Sequence, residues 1–132
     1  MRYMLDTNIC IYALKNKPEE ILKTILEHDP SEICISSITY GELLYGVEKS
    51  KQVERNRIAL LMLLANIEVI NFGLFACESY GKIRADLEIK GTPIGPLDML
   101  IAAHASSLDY TLVTNNTKEF ERVEGLKIEN WA

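Results

Sequence analysis

Asp6 closes the apolar stretch "RYMLDTN", Glu42 lies within "ITYGELLYGVEK", Asp98 within "GPLDMLIAAHA", and Thr114, Asn115 and Asn116 follow "YTLV". A carboxylate against a buried strand is costly unless something pairs with it. Each acid has an ordinary structural explanation. Asp6, followed by Thr7 and Asn8, can cap a helix. Asp98, near the third residue of its helix, is favoured by the helix dipole by roughly 0.3–1 kcal/mol, and Glu42 can be an exposed helix residue beside an apolar stripe. Together they point to different chemistry. General acid–base work needs two carboxylates with separated pKa values, whereas three or more acids on one rim repel each other unless a cation neutralises them. All-oxygen ligation completed by water is what magnesium or manganese prefers. Such ions can activate water and stabilise the attacking and leaving oxygens of phosphodiester cleavage.

The elements that must bring these acids together alternate along the chain. "RYML" reads as a strand, "NICIYALKN" as a helix stopped before Pro18, and "PEEILKTILEH" as a helix with Pro18 in its first turn and Pro30 beyond its end. "EICIS" is a second strand. "ITYGELLYGVEK" has apolar residues at Tyr40, Leu43, Leu44 and Val47, the spacing of an amphipathic helix, with Ser36 or Ser37 to cap it. "VERNRIALLMLLAN" is a longer helix, "EVIN" a third strand, and "LFACESYGKIRADLEIK" a helix that Gly91 ends. "PLDMLIAAHASSL" is a helix with Pro96 in first position, "YTLVT" a fourth strand, "TKEFERV" a short helix and "KIENW" an edge strand. Strands separated by helices call for a parallel sheet between two helical layers. Such sheets bind ligands outside the carboxyl ends of their strands, where Asp6 and Thr114–Asn116 fall.

The 132 residues, 48% of them apolar, suffice for one domain with one core. The longest uncharged apolar run, Ile58 to Ala65, is short of the roughly 20 residues a membrane span requires. Only Arg2 precedes Asp6 among charged residues, which leaves no room for the hydrophobic part of a secretory signal, so a cytoplasmic protein is expected. Cys10, Cys34 and Cys77 form no C-x-x-C pair and read as small buried hydrophobes. A net charge of −5 argues against a nucleic-acid partner unless the acids are gathered in one place. A carboxylate cluster that holds divalent cations presents positive charge to its substrate.

The blocks "YMLDTNICIY", "ISSITYGELLYGVEKS", "GTPIGPLDMLIAAHA" and "LVTNNTKEFERVEGLKIENW", in this order, carry a resemblance to a known family. The chain resembles the PIN-domain nucleases over essentially its whole length, and within them the VapC toxins of bacterial toxin–antitoxin pairs. It is most similar to the enteric-type members that cleave initiator tRNA in the anticodon stem-loop. The resemblance implies a single three-layer α/β/α domain over residues 1–132, with a central parallel sheet of four to five strands. It implies a Mg2+- or Mn2+-dependent endoribonuclease in which Asp6, Glu42 and Asp98 hold the metal, with Asn8 and Thr114 in support. The family's frequent fourth acid would fall at Asn116, whose amide is a weaker ligand; Glu119, one helical turn on, can reach the site instead. Hydrolysis to a 5′-phosphate and a 3′-hydroxyl is implied, without help from the ribose 2′-OH. The scarcity of histidine agrees with this, since His28 reads as a helix-end residue and His104 as a structural one. The expected partners are a tRNA substrate, a second copy in a homodimer, and a cognate VapB-like antitoxin whose tail blocks the acids and whose other end binds operator DNA.

For gripping RNA the candidates are Lys49, Lys51, Lys82 and Arg84, each of which could equally belong to a solvated face. Tyr12, Tyr40 and Tyr45 are expected in the core, with stacking on an unpaired base as their functional alternative. "RIALLMLLANI" is apolar on more than one face, which predicts either full burial or a dimer contact. The rival from another class is a receiver-like regulatory domain. Receivers carry adjacent acids after the first strand, and here Leu5 precedes a lone Asp6. A degenerate nuclease that only binds its partner is the other alternative, suggested by Asn116.

Overall fold

The computed structural model describes residues 2–132. Five strands form one parallel sheet in the order β3-β2-β1-β4-β5, with β1 at Tyr3–Leu5, β2 at Ile33–Ser36, β3 at Glu68–Ile70, β4 at Thr111–Val113 and β5 at Ile128–Glu129. The strand order reverses between β1 and β4, so the crevice of this open sheet lies at the ends of those two strands. The backbone N–H of Asp6 continues the pairing by donating to the Val113 carbonyl at 3.0 Å. The expected α/β architecture, with a parallel sheet between helices, is the one observed.

Alternation along each strand divides the core. Leu5, Ile33, Ile35 and Val113 face one side, where they pack with Ile9, Ile21, Leu43, Val47 and Leu60; Met4, Cys34 and Leu112 face the other, with Leu87, Ile101 and Phe120. Helices α1 (Thr7–Lys15), α2 (Glu19–Glu27), α3 (Ser37–Glu48) and α4 (Val53–Leu64) contribute to the first cluster. Helices α5 (Leu74–Lys90), α6 (Pro96–Ser107) and the short α7 (Thr117–Phe120) contribute to the second.

The helix boundaries follow their local signals. Ser36 caps α3 by accepting from the Ile38 N–H, Gly91 ends α5 in the left-handed region at φ 70°, and Pro96 occupies the first turn of α6. Pro18 sits at the N-cap position of α2, one place before the expected turn. One expectation needs correction, and one of two alternatives falls away. Cys77 is exposed on α5, because within "LFAC" only Ala76 faces the protein. Helix α4 is not fully buried: Leu60 lies in the core, while Ile58, Leu61 and Met62 face solvent. No helix among the described residues is long and apolar enough to cross a membrane.

Candidate functional site

Asp6 is both a helix cap and a member of an acidic cleft. Its Oδ1 accepts from the Ile9 N–H at 2.9 Å, which fixes the start of α1. Burial raises its pKa; hydrogen bonds from Thr114 and the Ile9 and Asn8 backbone oppose that rise, and the nearby Glu42 charge adds to it. The structural and chemical readings of Asp6 therefore do not compete, since one carboxylate serves both.

Helix α3 places Glu42 opposite. The Thr7 hydroxyl, in the first turn of α1, donates to Glu42 Oε1 at 2.7 Å and ties the two helices together at the site. The first turn of α6 brings Asp98 to the same cleft, of about 290 Å3, whose walls also include Asp6, Thr7, Asn8 and Glu42. Asp98 is pushed up to about 7. Burial is the main cause, followed by the charge of Glu119 and a hydrogen bond with it, then by Asp6 and Glu42. The pair is tight: a Cβ on Gly95 would lie 3.4 Å from Asp98 Oδ2 and 3.6 Å from Glu119 Oε1. Glu119 Oε1 accepts from the Gly95 N–H at 2.7 Å, while its Oε2 accepts from the Asn116 side-chain amide. Thr114, buried at the end of β4, accepts from the Asn116 N–H at 2.9 Å through the hydroxyl that also bonds Asp6.

Asp6, Glu42, Asp98 and Glu119 thus belong to one mutually interacting group, with Asn8, Thr114 and Asn116 around it. Of the expected RNA-gripping cations only Lys49 joins them, on the wall of the acidic cleft. Lys51 is exposed beyond α3. Lys82 lines a separate small cleft beside Asp86 and Glu124, and Arg84 pairs with Glu88 and the Tyr80 hydroxyl. A further cleft of about 450 Å3 shares Ile11, Glu42, Gly46 and Lys49 with the acidic one and adds Lys15 and Asn56.

Several neighbours escaped the sequence reading. Tyr45, expected in the core, is 65% exposed beside the acids, with Lys49 Nζ 4.9 Å from its ring centre; Tyr12 and Tyr40 do pack against the core. Tyr45, Gly46 and Lys49 follow Glu42 by three, four and seven residues, so helical spacing alone puts them on its face. Thr7 gave no such signal, since its bond to Glu42 crosses between helices.

The donor set is suited to a hard cation. Asp6, Thr7, Asn8, Glu42 and Asp98 all offer oxygen to the cleft, while Cys10 and Cys34 are in the core and His104 Nδ1 is 2.8 Å from Ser36 Oγ. Among the described residues no three Asp, Glu, His or Cys side chains close into a ready-made cage. An open cleft suits magnesium, which keeps several waters and takes one or two carboxylates.

Fold and acidic cleft together define a class. The chain belongs to the PIN domain family, whose model matches residues 3–126. That membership sets aside the receiver-like alternative. Within the family its relatives are VapC proteins. It is 47% identical over 132 residues to the tRNA(fMet)-specific endonuclease VapC of Salmonella typhimurium, covering 100% of this chain and 99% of that protein. It is also 47% identical to ribonuclease VapC2 of Rickettsia felis, covering 99% of this chain and 98% of the relative. The crystal structure of Rickettsia felis VapBC2 bound to a promoter DNA fragment superposes with a TM-score of 0.94 at 44% identity, covering 100% of both chains.

Proposed function

We propose that this chain is the toxin of a toxin–antitoxin pair, a Mg2+- or Mn2+-dependent endoribonuclease that cuts initiator tRNA in its anticodon stem-loop. One observation carries the reading: Asp6, Glu42 and Asp98 converge on one cleft with no basic partner among the described residues paired to them there, and burial, with the charges of Glu119, Asp6 and Glu42 behind it, pushes Asp98 up to about 7. The substrate assignment follows the VapC relatives, one of which is named for tRNA(fMet).

In this reading water attacks phosphorus, the bond to the 3′ oxygen breaks, and the products carry a 5′-phosphate and a 3′-hydroxyl. Asp6, Glu42 and Asp98 would hold the divalent cation, which when bound would supply positive charge against the phosphate and lower the pKa of a water. The chain's own residues do the positioning. Thr7 orients Glu42, Thr114 orients Asp6, and Glu119 stands beside Asp98. Lys49 meets a phosphate flanking the cut, with Lys15 further along the joined clefts. The exposed Tyr45 ring offers an unpaired base a surface to stack on.

The working protein is a cytoplasmic homodimer held inactive by a VapB-like antitoxin, and it meets operator DNA only through that antitoxin. All of the chain is one PIN domain, residues 1–132. Incubating purified protein with a panel of tRNAs tests the catalytic reading. Cleavage of initiator tRNA in Mg2+ or Mn2+, abolished by chelator, is the expected result. Full activity in chelator would refute the metal, and failure to cut any RNA would leave only a binding role.

A further inference from the structure

Asn116 stands where the resemblance expects an acid, and the simplest account makes its amide a weak substitute ligand. Its hydrogen bonds say otherwise. The side-chain Nδ2 donates to Glu119 Oε2. Its backbone N–H donates to Thr114 Oγ1 at 2.9 Å, and that same hydroxyl bonds Asp6. One residue therefore reaches both ends of the acidic cluster: Asp6 through Thr114, and Asp98 through Glu119.

We propose that Asn116 is a positioning residue that holds Glu119 beside Asp98, so that residue 119 supplies the cluster's fourth carboxylate and residue 116 must be a hydrogen-bond donor. The inference rests on the metal-binding reading of the cleft and concerns the division of labour within it. Glu119 has few other restraints. It lies on a helix of four residues, and apart from Asn116 its carboxylate is held by the Gly95 N–H at 2.7 Å and by its contact with Asp98. Both oxygens accept, which an ionised carboxylate does well and which needs a donor on each side. An aspartate at 116 would have the right shape and the wrong chemistry, because two carboxylates cannot hydrogen-bond each other without a proton between them.

The two accounts differ most sharply for Asn116→Asp, the change that restores the family's acid. If Asn116 is a substitute ligand, the new carboxylate strengthens metal binding or adds a second ion. If Asn116 is a donor, the same change sets residues 116 and 119 against each other and weakens binding.

Calorimetric titration of the purified chain with Mn2+ alone decides between them, without relying on activity. We expect Asn116→Asp and Asn116→Ala each to lower Mn2+ affinity by about tenfold, the scale on which residues that orient ligands act. In the Glu119→Gln background either change should add less than twofold, since the carboxylate they orient is already gone. In tRNA cleavage, saturating Mn2+ should return kcat toward that of the unsubstituted protein while the half-saturating metal concentration stays raised. Thermal unfolding without metal checks each fold, and the isosteric Asp variant decides the question should the Ala variant unfold. Tighter binding or a second ion in Asn116→Asp, or independent losses in the double variants, would overturn the proposal. An unsubstituted protein that binds no Mn2+ at all would overturn the metal reading itself, and this inference with it.

Discussion

Helices α3 and α6 hold two clusters of polar groups, and the two are resolved in opposite ways. In the first, Ser36 and His104 are buried, with Nδ1 2.8 Å from Oγ; Ser36 caps α3, the Asn71 backbone bonds the imidazole, and the Phe72 ring meets it edge-on. Burial lowers the histidine pKa, so the ring stays neutral and its needs are met within the protein. In the second, Asp6, Glu42, Asp98 and Glu119 come together with charge left over, and Asp98 rises to about 7. Buried polar groups in company do not by themselves mark a site. A site is marked by a residue of charge or hydrogen-bonding capacity that the protein leaves for something else to satisfy.

The largest effect that can break this comparison is on catalysis. Asp6→Asn keeps an oxygen for the Ile9 N–H, so α1 retains its cap, and it removes charge from the centre of the acidic group. RNA cleavage should fall by about a thousandfold or more, about 4 kcal/mol in the barrier. Thermal unfolding should show an intact fold, and retained cleavage would mean that the acidic cluster is as structural as the histidine one. The converse change is His104→Ala. It should cost about 2–4 kcal/mol of stability, measured by denaturant unfolding, because it opens a cavity and strips Ser36 Oγ of a partner. The metal concentration for half-maximal cleavage should not move.

The two clusters also differ in how far the sequence disclosed them. Asp6 and Asp98 were legible because one sits where a strand ends and the other where a helix begins, and Glu42 because it lies in the second turn of the helix that follows the second strand; a parallel sheet sends such positions toward one rim. The helices were equally legible, each marked by apolar spacing and by caps such as Ser36, Gly91 and Pro96. Contacts between elements were hidden. Thr7 reaching Glu42 and Gly95 lying against the carboxylates of Asp98 and Glu119 depend on distances that local patterns do not encode. Exposure was hidden for the same reason. Cys77 and Tyr45 carry apolar or aromatic side chains in apolar company, yet whether a neighbour covers them is settled by packing.

A smaller effect sharpens the contrast through pH. Asp98 binds its proton more tightly in the folded chain than in the unfolded one, so its contribution to stability is full below about pH 4 and is lost as pH rises toward about 7. Asp6, also raised, acts in the same direction. For metal-free protein the loss from Asp98 should be on the order of 1–2 kcal/mol once solvent screening in the cleft is allowed for. His104 works in reverse: its depressed pKa means that protonating the unfolded chain costs stability as pH falls below its ordinary value. Melting temperatures taken from pH 4 to 8, with and without Mn2+, separate the two. Mn2+ or Asp98→Asn should remove most of the decline above pH 4, and neither should change the histidine contribution. A decline untouched by both would place its origin outside the acidic cleft.

The smallest effect concerns the cations around the cleft. Lys49 stands at the junction of the two clefts, whereas Lys82 borders a separate one beside Asp86 and Glu124. A lysine that neutralises one phosphate of single-stranded RNA contributes about 0.7 to the slope of log affinity against log salt concentration. Lys49→Ala should reduce that slope by roughly this amount and raise KM a few-fold, with kcat nearly unchanged, because a phosphate away from the bond being cut is held alike before and during reaction. Lys82→Ala should leave the slope unchanged. The salt dependence of tRNA binding, measured for both variants with the antitoxin removed, tests the pair together. Equal reductions would mean that the RNA also runs across α5, and then the positive contribution to substrate binding would extend well beyond the rim where the acids meet.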